Sequence, residues 1–195
     1  MTAHRVDTRP VGAAELPDLA TLFAGERNTA HCWCMAFCTT RSQFAAGWFT
    51  GGNRRRFESM AITSAEPMGI LASIAGRPAG WCACGPRSRY VGGGRSAILT
   101  DRDPTEDDVV WLLPCLFVTS AHRGTGLTSA LVQAGIELAR ERGAKAVEGW
   151  PYTGLDRRCA DAFVGHRRLF EELGFECVAQ PRPDRAIMRR AFDTG

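Results

Sequence analysis

A short glycine-containing turn has the residue types expected of an anion-binding site. Arg123 is followed by Gly124 and Gly126, and no Asp or Glu occurs from Thr119 to Gln133. Helix N-termini usually attract carboxylates, because free backbone N–H groups and the helix dipole favour negative charge. A helix start that lacks acids but carries glycines and an arginine is suited to an anionic ligand such as a phosphate. The alternative is a plain strand–turn–helix connection, in which the glycines serve only for tight turning.

The elements on either side of this turn would position it. Trp111 to Val118 is an almost unbroken apolar run, which is typical of a strand buried on both faces. After the turn, apolar residues recur at helical spacing, namely Leu127, Ala130, Leu131, Ala134 and Leu138. Gly143 then acts as a helix stop. This stretch is therefore predicted to be a strand, a glycine turn and a helix.

Two motifs resemble the signatures of the GNAT N-acetyltransferases. Arg123 to Thr128, read Arg-Gly-Thr-Gly-Leu-Thr, is similar to the family's pyrophosphate loop, Arg/Gln-x-x-Gly-x-Gly/Ala, although Thr128 replaces the small last residue. Leu169 to Phe175, read Leu-Phe-Glu-Glu-Leu-Gly-Phe, is similar to the second signature, Leu-Tyr-x-x-Leu-Gly-Phe. The motifs lie in the family's order, with a strand-like segment between them, and the resemblance covers roughly Gly69 to Met188.

The resemblance implies an α/β fold in which a central, mixed and twisted β-sheet carries helices on both faces. It also implies transfer of an acetyl group from acetyl-CoA to an amine. Pro114 agrees with it, because a proline within a sheet lies at an edge or a bulge. GNAT proteins have a bulge in this strand, and the gap beside it admits the pantetheine arm of CoA. The resemblance assigns cofactor contacts to Leu116 at the acetyl carbonyl, Phe117 and Val118 at the pantetheine amides, and Arg123, Gly124, Thr125, Gly126, Leu127 and Thr128 at the pyrophosphate.

The groups that would transfer protons differ from the family's pattern. Some members have a glutamate base where this chain has Leu112, and many have a tyrosine acid where it has Phe170. We therefore consider Glu148 as the general base, with or without a bridging water, and Tyr152 as the acid that protonates the departing thiolate. The alternatives for these two residues are a surface carboxylate and a half-buried aromatic. Cys115 is a third candidate, although a buried cysteine in a strand is usually inert packing.

The segment from Cys32 to Cys38 contains three cysteines and raises the question of zinc. A structural zinc site needs four ligands, commonly with cysteine pairs spaced Cys-x2–4-Cys. Cys82-x-Cys84 and His31 could complete such a set. Two cysteines on one face of a strand, however, more often act as small core residues. We predict no metal site, and we interpret the segment as core packing or, given its place in the GNAT fold, as lining of the acceptor pocket.

Composition limits the class of protein. The chain has 195 residues, with 24 Lys and Arg against 21 Asp and Glu, and its net charge is +3. This length favours a single domain over residues 1–195. The small charge, without a clustered basic face, does not indicate a nucleic-acid partner. No signal peptide is visible and no apolar stretch approaches the ~18 residues of a membrane span, so we expect a cytoplasmic protein whose eight cysteines are thiols.

Hydrophobic periodicity predicts the order of the other elements. The predicted strands are Val6–Val11, Ile70–Ala75, Ala79–Cys84, Ala146–Trp150, Phe175–Ala179 and Ala186–Arg189, with a hairpin between the second and third. The predicted helices are Ala14–Ala24, Arg41–Phe49, Asn53–Ile62 and Asp161–Leu173. Gly85–Asp108 is interpreted as a long loop over the acceptor site, or alternatively as a simple surface excursion, and Pro151–Ala160 as a second irregular stretch.

The resulting prediction is an N-acetyltransferase that works by direct attack of an amine on acetyl-CoA in a ternary complex. The acceptor would be a small molecule or a protein. The alternative is an acyl-CoA-binding module with little or no catalysis, because both familiar catalytic side chains are missing. The identity of the acceptor, a succinyl or longer acyl donor, and the oligomeric state stay open.

Overall fold

The computed structural model describes residues 6–90, 102–154 and 163–192. Its strands are β1 (Val6–Pro10), β2 (Gly69–Ile74), β3 (Arg77–Pro86), β4 (Val110–Val118), β5 (Ala146–Gly149), β6 (Glu176–Arg182) and β7 (Arg185–Ala191). Its helices are α1 (Leu16–Ala24), α2 (Arg27–Cys32), α3 (Arg41–Thr50), α4 (Gly52–Thr63), α5 (Leu127–Glu141) and α6 (Arg167–Glu172). Short 3-10 turns lie at Ala13–Glu15, Arg87–Tyr90, Pro104–Glu106 and Ser120–His122.

The seven strands form one mixed sheet in the order β1-β2-β3-β4-β5-β7-β6. Only β4 and β5 run parallel, and the other neighbouring strands pair antiparallel. The parallel pair is connected through α5, as parallel strands need a crossover. The predicted hairpin between β2 and β3 is confirmed, and its turn holds Ala75 and Gly76 at positive φ.

Helices cover both faces of the sheet, which confirms the predicted α/β fold. On one face the apolar side of α5, including Leu131 and Ile136, packs against β2, β3 and β4. On the other face Phe23 of α1 and Phe57 of α4 pack around Trp81 of β3. The strands between these layers are therefore apolar on both sides, and every residue of β4 is buried.

A bulge at Pro114 changes which residues of β4 face each layer. Ala83 pairs with Cys115 but Gly85 pairs with Leu112, so two residues of β4 lie opposite one residue of β3. As a result, side-chain alternation shifts by one position. Trp111 and Leu113 face α5 before the bulge, Leu116 and Val118 face it afterwards, and Cys115 and Phe117 face α1 and α4. The bulge predicted from the proline is confirmed.

The helix expected over Asp161–Leu173 is shorter than predicted. Among the described residues it begins only at Arg167, with His166 as its N-cap, while residues 155–162 lie outside the described part. Gly165, with φ +78, stands just before the cap, a conformation that does not continue an α-helix. Phe163, which lies within the predicted range, is partly buried against the core and is not in an α-helix.

Two other regions differ from the predicted elements. β3 continues to Pro86 and is followed by a 3-10 turn, so the predicted loop over Gly85–Asp108 has ordered elements at both ends. Residues 91–101, which include the glycine triplet of that loop, and most of Pro151–Ala160 lie outside the described residues. The sequence interpretation also missed α2. Within residues 6–90, 102–154 and 163–192, no helix is long and apolar enough to cross a membrane.

Candidate active site

The site forms where β4 and β5 separate. Their parallel pairing runs from Val110–Ala146 to Leu113–Gly149 and ends there, just before Pro114. Beyond that point β4 continues to Val118, whereas β5 ends at Gly149. The second half of β4 therefore keeps β3 as a neighbour on one edge and faces an open cleft on the other.

Backbone directions in β4 follow from its ladder with β3. Thr119 N–H donates to the carbonyl of Ala79 at 3.0 Å, and hydrogen-bonded pairs alternate along an antiparallel ladder. Phe117 consequently exchanges its backbone hydrogen bonds with Trp81, its register partner. Leu116 and Val118 direct their N–H and C=O groups to the opposite edge, into the cleft. An extended amide chain such as pantetheine could pair with that edge.

The cleft has a volume of about 430 Å³ and joins the β4 edge to the glycine turn. It brings together five of the residues that the sequence predicted for cofactor binding, Leu116, Phe117, Val118, Arg123 and Thr128. The other wall comes from the C-terminal signature region and was not predicted, namely Phe163, Gly165, His166 and Leu169.

The glycine turn presents unpaired backbone donors. Gly124 and Gly126 have φ of +75° and +83°, a conformation that favours glycine. In the described part of the chain, the N–H groups of residues 124–129 donate no hydrogen bond to another residue. Gly126 is the N-cap of α5, and the first turn of that 15-residue helix contains no acidic residue. These features suit a pyrophosphate, whose oxygens accept several N–H bonds at once.

Arg123 adds an exposed positive charge at the edge of the turn. Its side chain is well exposed, its Nε donates to the carbonyl of Val118 at 3.4 Å, and its guanidinium lies 3.7 Å from the Glu26 carboxylate. An exposed ion pair of this kind contributes little to stability. The guanidinium can therefore leave Glu26 for a phosphate at small cost.

Glu148 lies on β5, and two arginines bind its carboxylate. The residue is 2% exposed, and its carboxylate accepts hydrogen bonds from Arg189 Nε at 2.9 Å and from Arg87 at 3.4 Å. Arg87 is itself 3% exposed and also binds Asp107. Glu148 lines neither of the clefts described in this section. The ion pairs give it a structural role, and its role as a base stays a prediction.

Tyr152 is buried three residues after the end of β5, where it forms isolated backbone bridges with His166 and with Arg185 at the start of β7. Its ring lies under the guanidinium of Arg185, 5.2 Å from the ring centroid, and its hydroxyl is close to Gly154. Its backbone N–H donates to the carbonyl of Gly165 at 3.3 Å. Tyr152 therefore lies next to the segment that forms the cleft wall without lining the cleft itself. Its role as an acid stays a prediction.

The two positions that differ from the family's catalytic pattern are apolar packing sites. Phe170 is fully buried, and a side chain on Gly149 would overlap its ring. Leu112 packs in a small cluster with Tyr90 and Trp150. Neither position can supply an acid or a base.

His166 is a polar group in the cleft that the sequence analysis missed. Its Nδ1 accepts a hydrogen bond from the backbone N–H of Arg168 at 3.3 Å as the N-cap of α6. In the neutral ring this bond assigns the proton to Nε2, which is then a donor. Histidine is not among the residues preferred at helix N-caps, so no local signal in the sequence marked it.

A second cleft of about 420 Å³ lies on the opposite face of β4. Its lining residues are Phe23, Asn28, Thr29, Cys32, Cys34, Ala36, Phe37, Phe44, Trp48, Cys115 and Phe163. The two clefts share Phe163, whose ring stacks on Phe117 with centroids 6.4 Å apart. They consequently meet beside the stretch of β4 that joins Cys115 to Phe117.

The cysteines of the α2–α3 connection pack against the sheet. Cys34 Sγ donates to Cys115 Sγ at 3.2 Å and accepts a hydrogen bond from the Trp81 indole at 3.1 Å. The bond to Cys115 and burial together hold the pKa of Cys34 well above its usual 9.0, so it stays a thiol. In the described ranges, no group of three or more His, Cys, Asp or Glu could hold a metal ion.

Comparison with solved structures identifies the fold. PaiA N-acetyltransferase from Thermoplasma acidophilum, in complex with coenzyme A, is 8% identical and has a TM-score of 0.56, with 96% of this chain and 99% of that chain covered. Ribosomal-protein-alanine N-acetyltransferase from Brucella melitensis is 21% identical at a TM-score of 0.51, with 95% and 99% covered. A GNAT-family acetyltransferase from Streptococcus pneumoniae is 15% identical at 0.55, with 96% and 100% covered. At these identities the likeness shows the fold alone.

Sequence comparison identifies the family. No curated protein matches the chain. The sequence model of the Acetyltransferase (GNAT) family, in contrast, matches residues 33–175, which is more than half of the chain and includes both predicted motifs. The chain therefore belongs to the GNAT family of acetyltransferases, which use acetyl-CoA as their co-substrate.

Proposed function

We propose that this protein is an acetyl-CoA-dependent N-acetyltransferase that acts on an amine by direct attack. The proposal rests on the observation that two clefts meet at β4. The first offers free N–H groups to a cofactor along Leu116, Val118 and the glycine turn. The second approaches Cys115 from the other face of β4 and has room for an acceptor.

The proposed cofactor contacts follow the chain along the first cleft. The backbone of Arg123, Gly124, Thr125, Gly126, Leu127 and Thr128 would bind the pyrophosphate. Phe117 and Val118 are the residues proposed at the pantetheine amides. Val118 would pair with them through its backbone, and Phe117, whose backbone pairs with Trp81, would contact the arm as part of the cleft lining. The N–H of Leu116 would donate to the thioester carbonyl, which polarises the carbonyl and stabilises the oxyanion that forms on attack.

The proposed reaction balances without a covalent enzyme intermediate. The amine nitrogen forms a bond to the carbonyl carbon, the carbon–sulfur bond breaks, and the amine loses one proton. Glu148, directly or through a water, is the proposed acceptor of that proton, and Tyr152 is the proposed donor to the thiolate. Mass spectrometry after incubation with acetyl-CoA alone should accordingly show no stoichiometric acetyl group on Cys115.

The competing function is an acyl-CoA-binding module, and the apolar residues at Leu112 and Phe170 favour it. Release of free CoA thiol, measured with acetyl-CoA across an amine library, separates the two functions. An enzyme gives amine-dependent thiol release together with an acetylated product. A binding module gives calorimetric binding of acetyl-CoA with thiol release no faster than without protein, and that result would overturn the proposal.

We also propose a cytoplasmic location and a single domain over residues 1–195. The seven described cysteines are free thiols, as is usual in a reducing compartment. The first and last described strands, β1 and β7, belong to the same sheet.

A further inference from the structure

The lining and the size of the second cleft indicate which kind of acceptor it could bind. It is bounded by α1, α2 and α3 on one side and by Cys115 of β4 on the other. It shares Phe163 with the cofactor cleft. A molecule bound in it would therefore reach the part of β4 where the proposed acetyl carbonyl lies, next to Leu116.

The described lining of this cleft carries no formal charge. It contains no Asp, Glu, Lys, Arg or His. Burial, reinforced by the nearby Cys34, raises the pKa of the Cys32 thiol to about 12, so this thiol is neutral at physiological pH. Thr29 uses its hydroxyl internally, because it donates to the carbonyls of Phe23 and Glu26. Besides the thiols and the Trp48 indole, the described lining adds the Asn28 side chain, which lies at the exposed rim.

The aromatic wall of the cleft is held in place before any ligand binds. His31 stacks on Trp48 with ring centroids 5.4 Å apart, and its Nδ1 contacts the Trp48 carbonyl at 3.1 Å. Asn53 donates to the carbonyls of His31 and Phe44 at 2.9 and 3.3 Å, which ties α2, α3 and α4 together. Trp33 and Cys34 both have positive φ, a costly conformation for these residues. This turn directs Cys34 into the cleft.

We propose that the acceptor is a small, neutral amine that carries one or two apolar rings, and that it binds in this cleft. This inference rests on the proposed acetyl transfer. Moving an ammonium ion into uncharged, apolar surroundings is strongly unfavourable unless a carboxylate pairs with it. An alkylamine such as lysine is neutral in only roughly one molecule in 10³ at pH 7. An aniline-type amine is already neutral there and needs no carboxylate in the cleft.

The size of the cleft favours a small molecule over a protein segment. Ligand pockets generally measure roughly 300–1,000 Å³, and this one, at about 420 Å³, lies near the lower end. A peptide N-terminus is the competing acceptor. It would bring a charged ammonium and a polar backbone, and the described residues of the cleft lining offer little to satisfy either.

Binding provides a test that does not depend on turnover. Calorimetry with 4-benzylaniline, in the presence of CoA to prevent reaction, should give a dissociation constant in the micromolar to low millimolar range. Spermidine and an alanine-terminated peptide should give no measurable heat. Trp48→Ala should weaken 4-benzylaniline binding about tenfold or more. Phe49→Ala is the matched control, because Phe49 follows Trp48 on the same helix but is 88% exposed and lines neither cleft.

Turnover provides the second test. With acetyl-CoA, kcat/KM for 4-benzylaniline should exceed that for spermidine and for the peptide by at least about 100-fold. Ala36→Asp, which adds a carboxylate at the exposed rim, should lower kcat/KM for the aniline and reduce this preference. It should leave the KM for acetyl-CoA unchanged.

The outcomes separate this inference from the proposed function. If acetyl-CoA supports fast acetylation of spermidine or the peptide but not of the aniline, the apolar acceptor is wrong while the acetyltransferase activity stands. Equal effects of Trp48→Ala and Phe49→Ala on aniline binding would also overturn it. If no amine is acetylated but the aniline still binds, the cleft assignment stands and the proposed function fails.

Discussion

At the scale of single residues, the cofactor site depends on conformation more than on side-chain chemistry. Gly124 and Gly126 both have positive φ and have no neighbouring atom within 4 Å of where a side chain would begin. Space is therefore available at these positions, and it faces the proposed pyrophosphate. Side chains added there would act mainly through their charge and their backbone preference.

Gly124→Glu should weaken binding of acetyl-CoA by ~100-fold or more, because juxtaposed like charges cost several kcal/mol. Arg123→Ala should raise the dissociation constant only about fivefold, as expected for one exposed ionic contact. Isothermal calorimetry measures both. Gly76→Glu is the matched control, since Gly76 has φ +74 and open space but lies in the distant β2–β3 turn. Wild-type affinity in Gly124→Glu would rule out the pyrophosphate assignment.

Tyr152→Phe tests the proposed acid. If Tyr152 protonates the thiolate, kcat should fall ~10²–10⁴-fold while the affinity for acetyl-CoA is nearly unchanged. His166→Asn is the comparison variant, because asparagine keeps the helix cap but removes the Nε2 donor from the cleft. If kcat falls in His166→Asn but not in Tyr152→Phe, His166 has the role proposed for Tyr152. The measurement must be made under conditions in which the chemical step limits the rate. A decrease in kcat of less than threefold in Tyr152→Phe would then exclude Tyr152 as the acid.

Glu148 has a structural role that must be separated from catalysis. Glu148→Gln should lower the free energy of unfolding by about 3 kcal/mol, because it leaves the buried Arg87 with less compensating charge. Arg87→Met breaks the same ion pair and keeps the carboxylate. If Glu148 is the base, kcat should fall by ~10² or more in Glu148→Gln but not in Arg87→Met. Similar kcat values for the two folded variants would contradict a catalytic role.

At the scale of elements, the position of α5 on the sheet fixes the position of the pyrophosphate turn. The helix approaches β4 closely at Gly135, where a Cβ atom would lie 2.9 Å from the Leu113 side chain. Gly135 is buried in the middle of the helix, away from its N-terminal turn. Packing at this point therefore determines how near the free N–H groups come to the β4 edge.

Gly135→Val should destabilise the protein by ~1–3 kcal/mol, as overpacking of a well-packed contact does. It should also weaken acetyl-CoA binding by pushing α5 away from β4. Urea unfolding and calorimetry measure the two effects. Glu137→Val, an exposed position two residues later on the same helix, controls for the low helix propensity of valine. If both variants lose the same stability, the contact with Leu113 is not important.

At the scale of the whole molecule, a cluster of ion pairs joins segments that are far apart in the chain. Arg87 after β3, Asp107 before β4, Glu148 on β5 and Arg189 on β7 are connected through shared partners. Glu106 binds Arg189 as well, at 2.8 Å. The cluster holds together the strands from which the cleft opens.

Acidification should weaken this cluster. Burial alone would raise the pKa of Asp107, but hydrogen bonds from Arg102 and Arg87 outweigh it and hold the pKa below its ordinary 3.8. A lowered pKa in the folded state gives stability that is present above about pH 3.8 and is lost as pH falls through the folded value. The urea midpoint should therefore drop between pH 5 and pH 2.5. Asp107→Asn should show a smaller drop, and Asp108→Asn, an exposed neighbour, should behave as wild type.

Short-range patterns in the sequence determined much of this protein. The family, the mixed sheet with helices on both faces, the bulge at Pro114 and most element positions follow from motifs and periodicities that span fewer than about 20 residues. The glycine turn is also determined by short-range sequence, because Gly124 and Gly126 themselves set its conformation. The roles assigned to Glu148 and Tyr152 stay predictions, because sequence position alone does not say where a side chain points.

Only the tertiary structure decided the surroundings of the candidate groups. Glu148 binds Arg87 across 61 residues, and Cys34 contacts Cys115 across 81. Such contacts depend on how distant strands and helices pack, and hydrophobic periodicity carries no information about which partners meet. For the same reason the sequence overextended α6 and missed α2, His166 and the apolar character of the second cleft. Strand and helix formation is local, whereas a cleft is enclosed by segments that come together only when the chain folds.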